Sequence, residues 1–172
     1  MAMHSNSRDV GTDELFRAWI QRYSNDILQT CVLYLSDRAL AEDALQDTWI
    51  KVYQCLQHQK VPVIHEKAWI MRIAINTCKD YYRTSWFRHV DRKVSIEKLQ
   101  DTTVCAEQPK HMLSMVVMGL PEKYKQVILL YYYQGLTLKE TSKVLGVSQT
   151  CAFKRLKKAE QLLKQEWIGG AE

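Results

Sequence analysis

An all-α protein is predicted, built as two small helical domains joined by a flexible linker, and three observations carry that expectation. Apolar residues make up 47% of the 172 residues, with only six Gly and three Pro, too few turn-formers for a many-stranded β fold and too little polarity for disorder. Apolar positions recur at steps of three and four in one run after another, the period of a helix with one buried face. Residues 84–110 lose that period, turn polar and end in Gln108-Pro109, which puts a domain boundary there. The expected division is a disordered stretch over 1–11, a first domain over 12–90, a linker over 91–109, a second domain over 110–168 and a tail over 169–172.

Thr12 is placed to cap a long first helix over 12–35, whose stripe includes Leu15, Phe16, Trp19, Ile20, Tyr23, Ile27, Leu28, Cys31, Val32 and Leu35. Ser36 and Asp37 can cap a second helix with the stripe Ala41, Ala44, Leu45, Thr48, Trp49, Val52 and Leu56. Residues 58–66 contain Val61-Pro62-Val63-Ile64, lack helical spacing and read as an apolar loop. A third helix over 67–83 turns Trp69, Ile70, Ile73, Ala74 and Tyr81 inward and leaves Arg72, Asn76, Lys79 and Arg83 on one polar stripe. In the second domain a short apolar helix over 111–118 breaks at Gly119-Leu120. Pro121 then opens a helix at its first-turn position, which runs to about Gln134 and stops at Gly135. Thr137 and Glu140 form a capping box for a helix over 138–145 that ends at Gly146, and Ser148 caps a last helix over 149–167.

Composition excludes several classes of function. No run of about eighteen apolar residues exists, and the opening residues have no apolar core of the signal-peptide kind, so a soluble, intracellular chain is expected. Cys31, Cys55, Cys78, Cys105 and Cys151 are odd in number and widely spaced, with no CxxC pair and no His at ligand spacing; they read as reduced, small hydrophobes. There is no phosphate-cradling Gly loop and no nucleophile elbow, and the five His lack an acid or metal partner at useful spacing, so neither catalysis, a metal nor a cofactor is expected.

Charge alternates along the chain. Residues 9–47 hold eight acids against three bases, and residues 51–93 nine bases against three acids. Residues 94–108 are again acidic, and residues 109–167 hold ten bases against four acids. Two basic blocks fit two contacts with one polyanion, while the acidic block fits a basic protein surface; solvated faces would look the same. The strongest constellation is the pair of helices over 138–145 and 149–167, a helix-turn-helix layout. In its second helix Ala152, Leu156, Ala159 and Leu163 pack inward, leaving Gln149, Thr150, Phe153, Lys154, Lys157 and Lys158 toward a groove. The lysines suit phosphates, and Gln149, Thr150 and Lys154 near the helix start suit base edges. The stripe on the third helix, beside Tyr81, Tyr82, Trp86 and Phe87 and an apolar loop, suits unstacked bases held over a cationic face. Glu42, Asp43, Gln46 and Asp47 on the second helix suit a positively charged protein.

Four motifs follow one another along the chain: Ala41-Glu-Asp-Ala-Leu-Gln-Asp-Thr-Trp49, Trp69-Ile-Met-Arg-Ile-Ala-Ile-Asn-Thr77, Leu120-Pro-Glu-Lys-Tyr124, and Gly135-Leu-Thr-Leu-Lys-Glu140 with Leu145-Gly-Val-Ser148. In this order they resemble the extracytoplasmic-function (ECF) group of bacterial RNA polymerase sigma factors within the sigma-70 family. The resemblance implies that the first domain is a sigma region 2 bundle and the second a sigma region 4 helix-turn-helix. It implies that Glu42, Asp43, Gln46 and Asp47 contact the clamp helices of the largest core-polymerase subunit, and that the second domain meets the flap of the second-largest subunit. Val61, Ile64, His65, Lys67, Trp69, Arg72, Asn76, Lys79 and Arg83 are placed at the −10 promoter element, the loop capturing a flipped base. Ser148, Gln149, Thr150, Phe153, Lys154, Arg155, Lys157 and Lys158 are placed at the −35 element. Promoter DNA, core polymerase and an anti-sigma factor, often membrane-bound, are the implied partners, with no small-molecule substrate and a cytoplasmic, stress-response setting.

Departures from the family pattern are visible too. Tyr131 stands where the family commonly has Arg, and Gln149-Thr-Cys-Ala-Phe-Lys154 differs from the usual start of the recognition helix, so no −35 sequence preference carries over. Two other readings are a helix-turn-helix regulator that never joins polymerase, which predicts dimers on palindromic sites, and a sigma-like scaffold without promoter activity.

Overall fold

The computed structural model describes residues 6–58, 65–88 and 108–169, and helices are the only regular elements among them. The first domain is α1 (Asn6–Leu35), α2 (Arg38–His58) and α3 (Glu66–Arg88). The second is α4 (Gln108–Gly119), α5 (Glu122–Ile128), which continues as a π-helical turn (Leu129–Tyr133), then α6 (Leu138–Leu145) and α7 (Gln149–Gly169). The 91–109 linker lies outside the described residues save 108 and 109, which open α4.

The apolar stripes read from the sequence face one another in a three-helix packing of α1, α2 and α3. Ile27, Cys31, Ala41, Ala44, Val52, Ile70, Met71, Ala74, Ile75 and Cys78 are fully buried there, and each larger aliphatic so buried contributes about 1.5–3 kcal/mol. Ser36 adopts a left-handed φ of 54°, which turns the chain sharply between α1 and α2. Asp37 then caps α2, its Oδ1 accepting from the Leu40 amide at 3.0 Å.

Several boundaries differ from expectation. α1 begins at Asn6, so Thr12 is not its cap and residues 6–11 are helical, not disordered. A helix already nucleated by a long packed stretch propagates through Gly11 for only about 1 kcal/mol. α4 begins at Gln108 because Pro109 falls in its first turn, where no intrahelical N–H is required. Pro121 is the N-cap of α5, with φ −54° and ψ 142°, one position before the first turn expected for it; its carbonyl accepts from the Tyr124 and Lys125 amides. The helix over 121–134 is not uniformly α. Its last turn widens to π, with the Gln134 amide bonded to the Leu129 carbonyl at 3.0 Å, while neighbouring Leu129 and Leu130 are both fully buried. Gly135, at φ 64°, supplies the left-handed turn that ends it.

The two domains form one continuous core: α1 packs on α4, α5 and the π turn, and α3 packs on α6. Cys31 and Cys78 meet between α1 and α3, with the Cys78 Sγ donating to Cys31 Sγ at 3.4 Å; that contact and burial hold the Cys78 thiol well above its ordinary pKa. Cys55 and Cys151 are free and half-buried, and Cys105 lies outside the described residues. No described helix is long and apolar enough to cross a membrane.

Candidate functional site

The helix-turn-helix is built by local chemistry. The Glu140 amide donates to Thr137 Oγ1 at 3.2 Å and the Thr137 amide donates to Glu140 Oε2 at 2.9 Å, closing the capping box. The same Thr137 donors, hydroxyl first, hold the Glu140 carboxyl below its ordinary pKa. Gly146, at φ 66°, ends α6, and Ser148 Oγ accepts from the Cys151 amide at 3.1 Å to start α7. Ala152, Leu156 and Ala159 are buried and Leu163 half-buried, so Ser148, Gln149, Thr150, Phe153, Lys154, Lys157 and Lys158 all stand exposed on the far side. Arg155 is half-buried at the edge of that face. Lys157 is not loose: its Nζ pairs with Glu160 at 2.9 Å and lies 5.7 Å from the Phe153 ring centre. Glu160 also accepts from the exposed Tyr132 hydroxyl at 2.7 Å.

On α3, Arg72, Asn76 and Arg83 are exposed and Lys79 half-buried, in one row along the helix. An acid interrupts the row. Asp80 pairs with Arg83 at 3.0 Å and with Lys51 at 3.8 Å, and it shares a shallow groove with Asn76, Lys79, Arg83 and Glu122. Trp69 is half-buried, its ring centre 6.1 Å from that of Trp19, and Lys67 Nζ is paired with Asp26 at 3.0 Å. His65 is exposed and lies 3.3 Å from Glu140 of α6. Val61 and Ile64, and the side chains of Trp86 and Phe87, lie outside the described residues.

On α2, Glu42, Asp43 and Gln46 are exposed, next to the exposed Ile50 and Tyr53. Glu42 is partnered by Arg38 at 2.9 Å. Asp47 departs from the expected solvated face: it is half-buried and accepts from the Tyr81 hydroxyl at 2.8 Å, tying α2 to α3. Burial and that carboxylate push the Tyr81 pKa up to about 12.

Two polar clusters escaped the sequence reading. At the start of α3, Glu66 gathers three donors from α1, Trp19 Nε1 at 2.9 Å, Tyr23 Oη at 2.5 Å and Arg22 Nη1 at 3.1 Å. Between the domains, Tyr34, Glu122 and Gln126 form one hydrogen-bonded group and Thr30 and Gln134 another. The available signal was Lys125, Gln126 and Gln134 on either side of the apolar run Val127-Ile-Leu-Leu130.

Comparison with known proteins matches residues 19–88 to the family Sigma-70 region 2 and residues 110–163 to the family Sigma-70, region 4. ECF RNA polymerase sigma factor SigM of Bacillus subtilis is 30% identical over 161 residues, which cover 88% of this chain and 92% of SigM. RNA polymerase sigma factor SigZ of the same organism is 29% identical over 143 residues, 76% of this chain and 74% of SigZ. Among solved structures, the Bartonella quintana sigma factor RpoE, in co-crystals with the anti-sigma factor NepR, superposes with a TM-score of 0.73 over 91% of this chain and 98% of its own, at 16% identity. CnrH, solved with the cytosolic domain of CnrY, gives 0.70 over 96% and 94% of the two chains at 20% identity, a likeness of fold. With both domain families matched in order and a relative aligned over nearly its whole length, the chain belongs to the ECF group of the sigma-70 family of RNA polymerase sigma factors.

Proposed function

We propose that this chain is a dissociable initiation subunit: it joins core RNA polymerase through α2, engages the −10 element through α3 and the −35 element through α7, and makes or breaks no bond itself. The observation that carries the reading is the separation of charge onto three exposed faces, acidic on α2, basic on α3 and basic on α7, in a chain of this family. Glu42, Asp43 and Gln46 suit the basic clamp helices of the largest subunit, and the second domain suits the flap. Arg72, Asn76, Lys79 and Arg83 suit the phosphates of an unpaired strand, with Trp69 beside them. Melting is then offset by binding the separated strand, and a base leaves the stack only because it finds a site outside it. On α7, Gln149, Thr150, Phe153 and Lys154 suit base edges, and Ser148, Arg155, Lys157 and Lys158 the flanking phosphates. RpoE and CnrH were each solved with a protein partner, and by likeness this chain is held in the cytoplasm by an anti-sigma factor, at the membrane when that factor is anchored there.

The test combines the purified chain with core polymerase on a pool of genomic fragments and sequences the 5′ ends of the transcripts. Discrete starts that depend on the chain are expected. Glu42→Arg with Asp43→Arg should weaken core binding by about tenfold or more while leaving α7 binding to DNA intact. Unchanged core affinity, with binding to palindromic sites as a dimer, would instead favour the regulator that never joins polymerase.

A further inference from the structure

Phe153 stands apart on α7. Ala152, Leu156 and Ala159 carry the packing of this helix, so the Phe153 ring, 47% exposed on the opposite side, adds nothing to the core. Its exposed neighbours there are Gln149, Thr150, Lys154 and Lys157, all polar or charged. Single exposed apolar side chains are ordinary on protein surfaces. This one is distinguished by its place in the first turns of the helix and by what holds it.

The hold is a relay of side chains that begins on the π turn. Residues 153, 157 and 160 follow one another at steps of four and three, which sets them on one face of α7. Lys157 Nζ lies 5.7 Å from the Phe153 ring centre and donates to Glu160 Oε2 at 2.9 Å. The other carboxylate oxygen, Oε1, accepts from Tyr132 Oη at 2.7 Å. Tyr132, itself 56% exposed, meets the Tyr131 ring edge to face at 5.0 Å, and Tyr131 packs on the core. The bond to Glu160, with some burial, holds the Tyr132 hydroxyl up to about 12, while Lys157 and Tyr132 hold the Glu160 carboxyl below its ordinary pKa. Donors and acceptor thus keep their roles at neutral pH. Exposed ion pairs add little to stability, so what the linked side chains do is fix a position.

In the major groove the base pairs display donors, acceptors and one apolar group, the 5-methyl of thymine. Gln149, Thr150 and Lys154 offer partners to the polar groups, and Phe153, one turn on from Gln149, offers apolar surface. We propose that Phe153 reads the 5-methyl group of a thymine in the −35 element, and that Tyr132 and Glu160 are positioning residues that set its ring through Lys157. This rests on the reading of α7 as the −35 helix. Of the three N–H donors of Lys157, Glu160 takes one, so the same side chain still suits a flanking phosphate.

The test removes the methyl alone. The chain, assembled with core polymerase, is bound to a labelled duplex promoter identified by the transcript 5′ ends, with each thymine of its −35 element, on either strand, replaced in turn by deoxyuridine. Fluorescence anisotropy reads the affinity. One position, or two adjacent ones, should lose about fourfold, the worth of one buried methyl group. Phe153→Ala should bind the thymine and uracil forms of that position equally. Tyr132→Phe should lose at least half of the discrimination while leaving the slope of binding against salt and the midpoint of urea unfolding as in the parent, because it frees the ring without removing a phosphate contact or any packing. A −35 element in which no thymine is sensitive to loss of its methyl, or a position that stays sensitive in Phe153→Ala, would overturn the thymine contact of Phe153. Discrimination unchanged in Tyr132→Phe would overturn the positioning role. The −35 reading of α7 fails separately, if Lys154→Ala with Lys158→Ala leaves the footprint on that element unchanged.

Discussion

Lys125 opposes the arrangement it belongs to, and its proton makes that measurable. Burial lowers its pKa from 10.5 to about 8, so the folded chain binds this proton less tightly than the unfolded one, with Glu122 as the one acid pulling the other way. Below pH 8 both states are protonated and the full penalty, about 3 kcal/mol, applies. It fades as pH rises from about 8 toward 10.5, where the unfolded chain loses the proton as well. Lys125→Met should therefore raise the thermal midpoint at pH 7 by several degrees and by clearly less at pH 10, as followed by circular dichroism. Equal gains at both pH values would show that the ammonium is not the cause. Thr137 works in the opposite sense. Its bonds lower the Glu140 carboxyl, so their contribution is present above the ordinary carboxylate pKa and lost as pH falls through the lowered one. Thr137→Ala should cost about 1 kcal/mol in urea unfolding at pH 7 and less in acid. The capping box was legible in the sequence because its partners sit three residues apart. Lys125 was not placed in advance, since its neighbours Tyr34 and Glu122 come from opposite sides of a boundary.

Among the elements, α3 shows how a functional helix is held. Glu66 in its first turn receives Trp19, Arg22 and Tyr23 from α1, and Asp47 of α2 receives Tyr81 four turns on, so both ends of the row are pinned by hydrogen bonds to neighbouring helices. Glu66→Ala leaves the Tyr23 hydroxyl and Trp19 N–H without acceptors, which should cost about 2–3 kcal/mol in chemical denaturation. A loss under about half a kcal/mol would mean that water replaces the carboxylate at no penalty. On α7, Lys157→Ala should lower the salt dependence of −35 binding by about one phosphate contact, whereas Lys154→Ala should alter base preference; footprints unchanged on the −35 side for both would put the DNA on another face. The outward face of α7 was readable because an amphipathic helix after a glycine turn admits one orientation. The π turn was not, because a helix widens where packing asks consecutive residues to face one core, and Leu129 and Leu130 meet that demand only in three dimensions. The Tyr81 bond of Asp47 was hidden for the same reason: on the helix Asp47 continues an acidic face, and only the approach of α3 makes it an acceptor.

At the scale of the whole molecule, the two-domain division was legible from the loss of period over 84–110, and the order of acidic and basic faces from the charge counts. How the domains meet was not, since the apolar residues that join them extend the same stripes that build each domain, and the polar pairs among them link residues about ninety to a hundred positions apart. Yet the members of those pairs are specific to one another. Gln134 has a partner only where Thr30 and the Asp26 carbonyl are set at the right height on α1, and Glu122 and Gln126 only where a hydroxyl ends that helix. Inheritance of the two halves is thereby coupled: a hybrid that took one domain from this chain and the other from a relative would keep both folds yet lose the match across the join. Recombination between paralogues would be selected against at this boundary even where every recognition residue survived it.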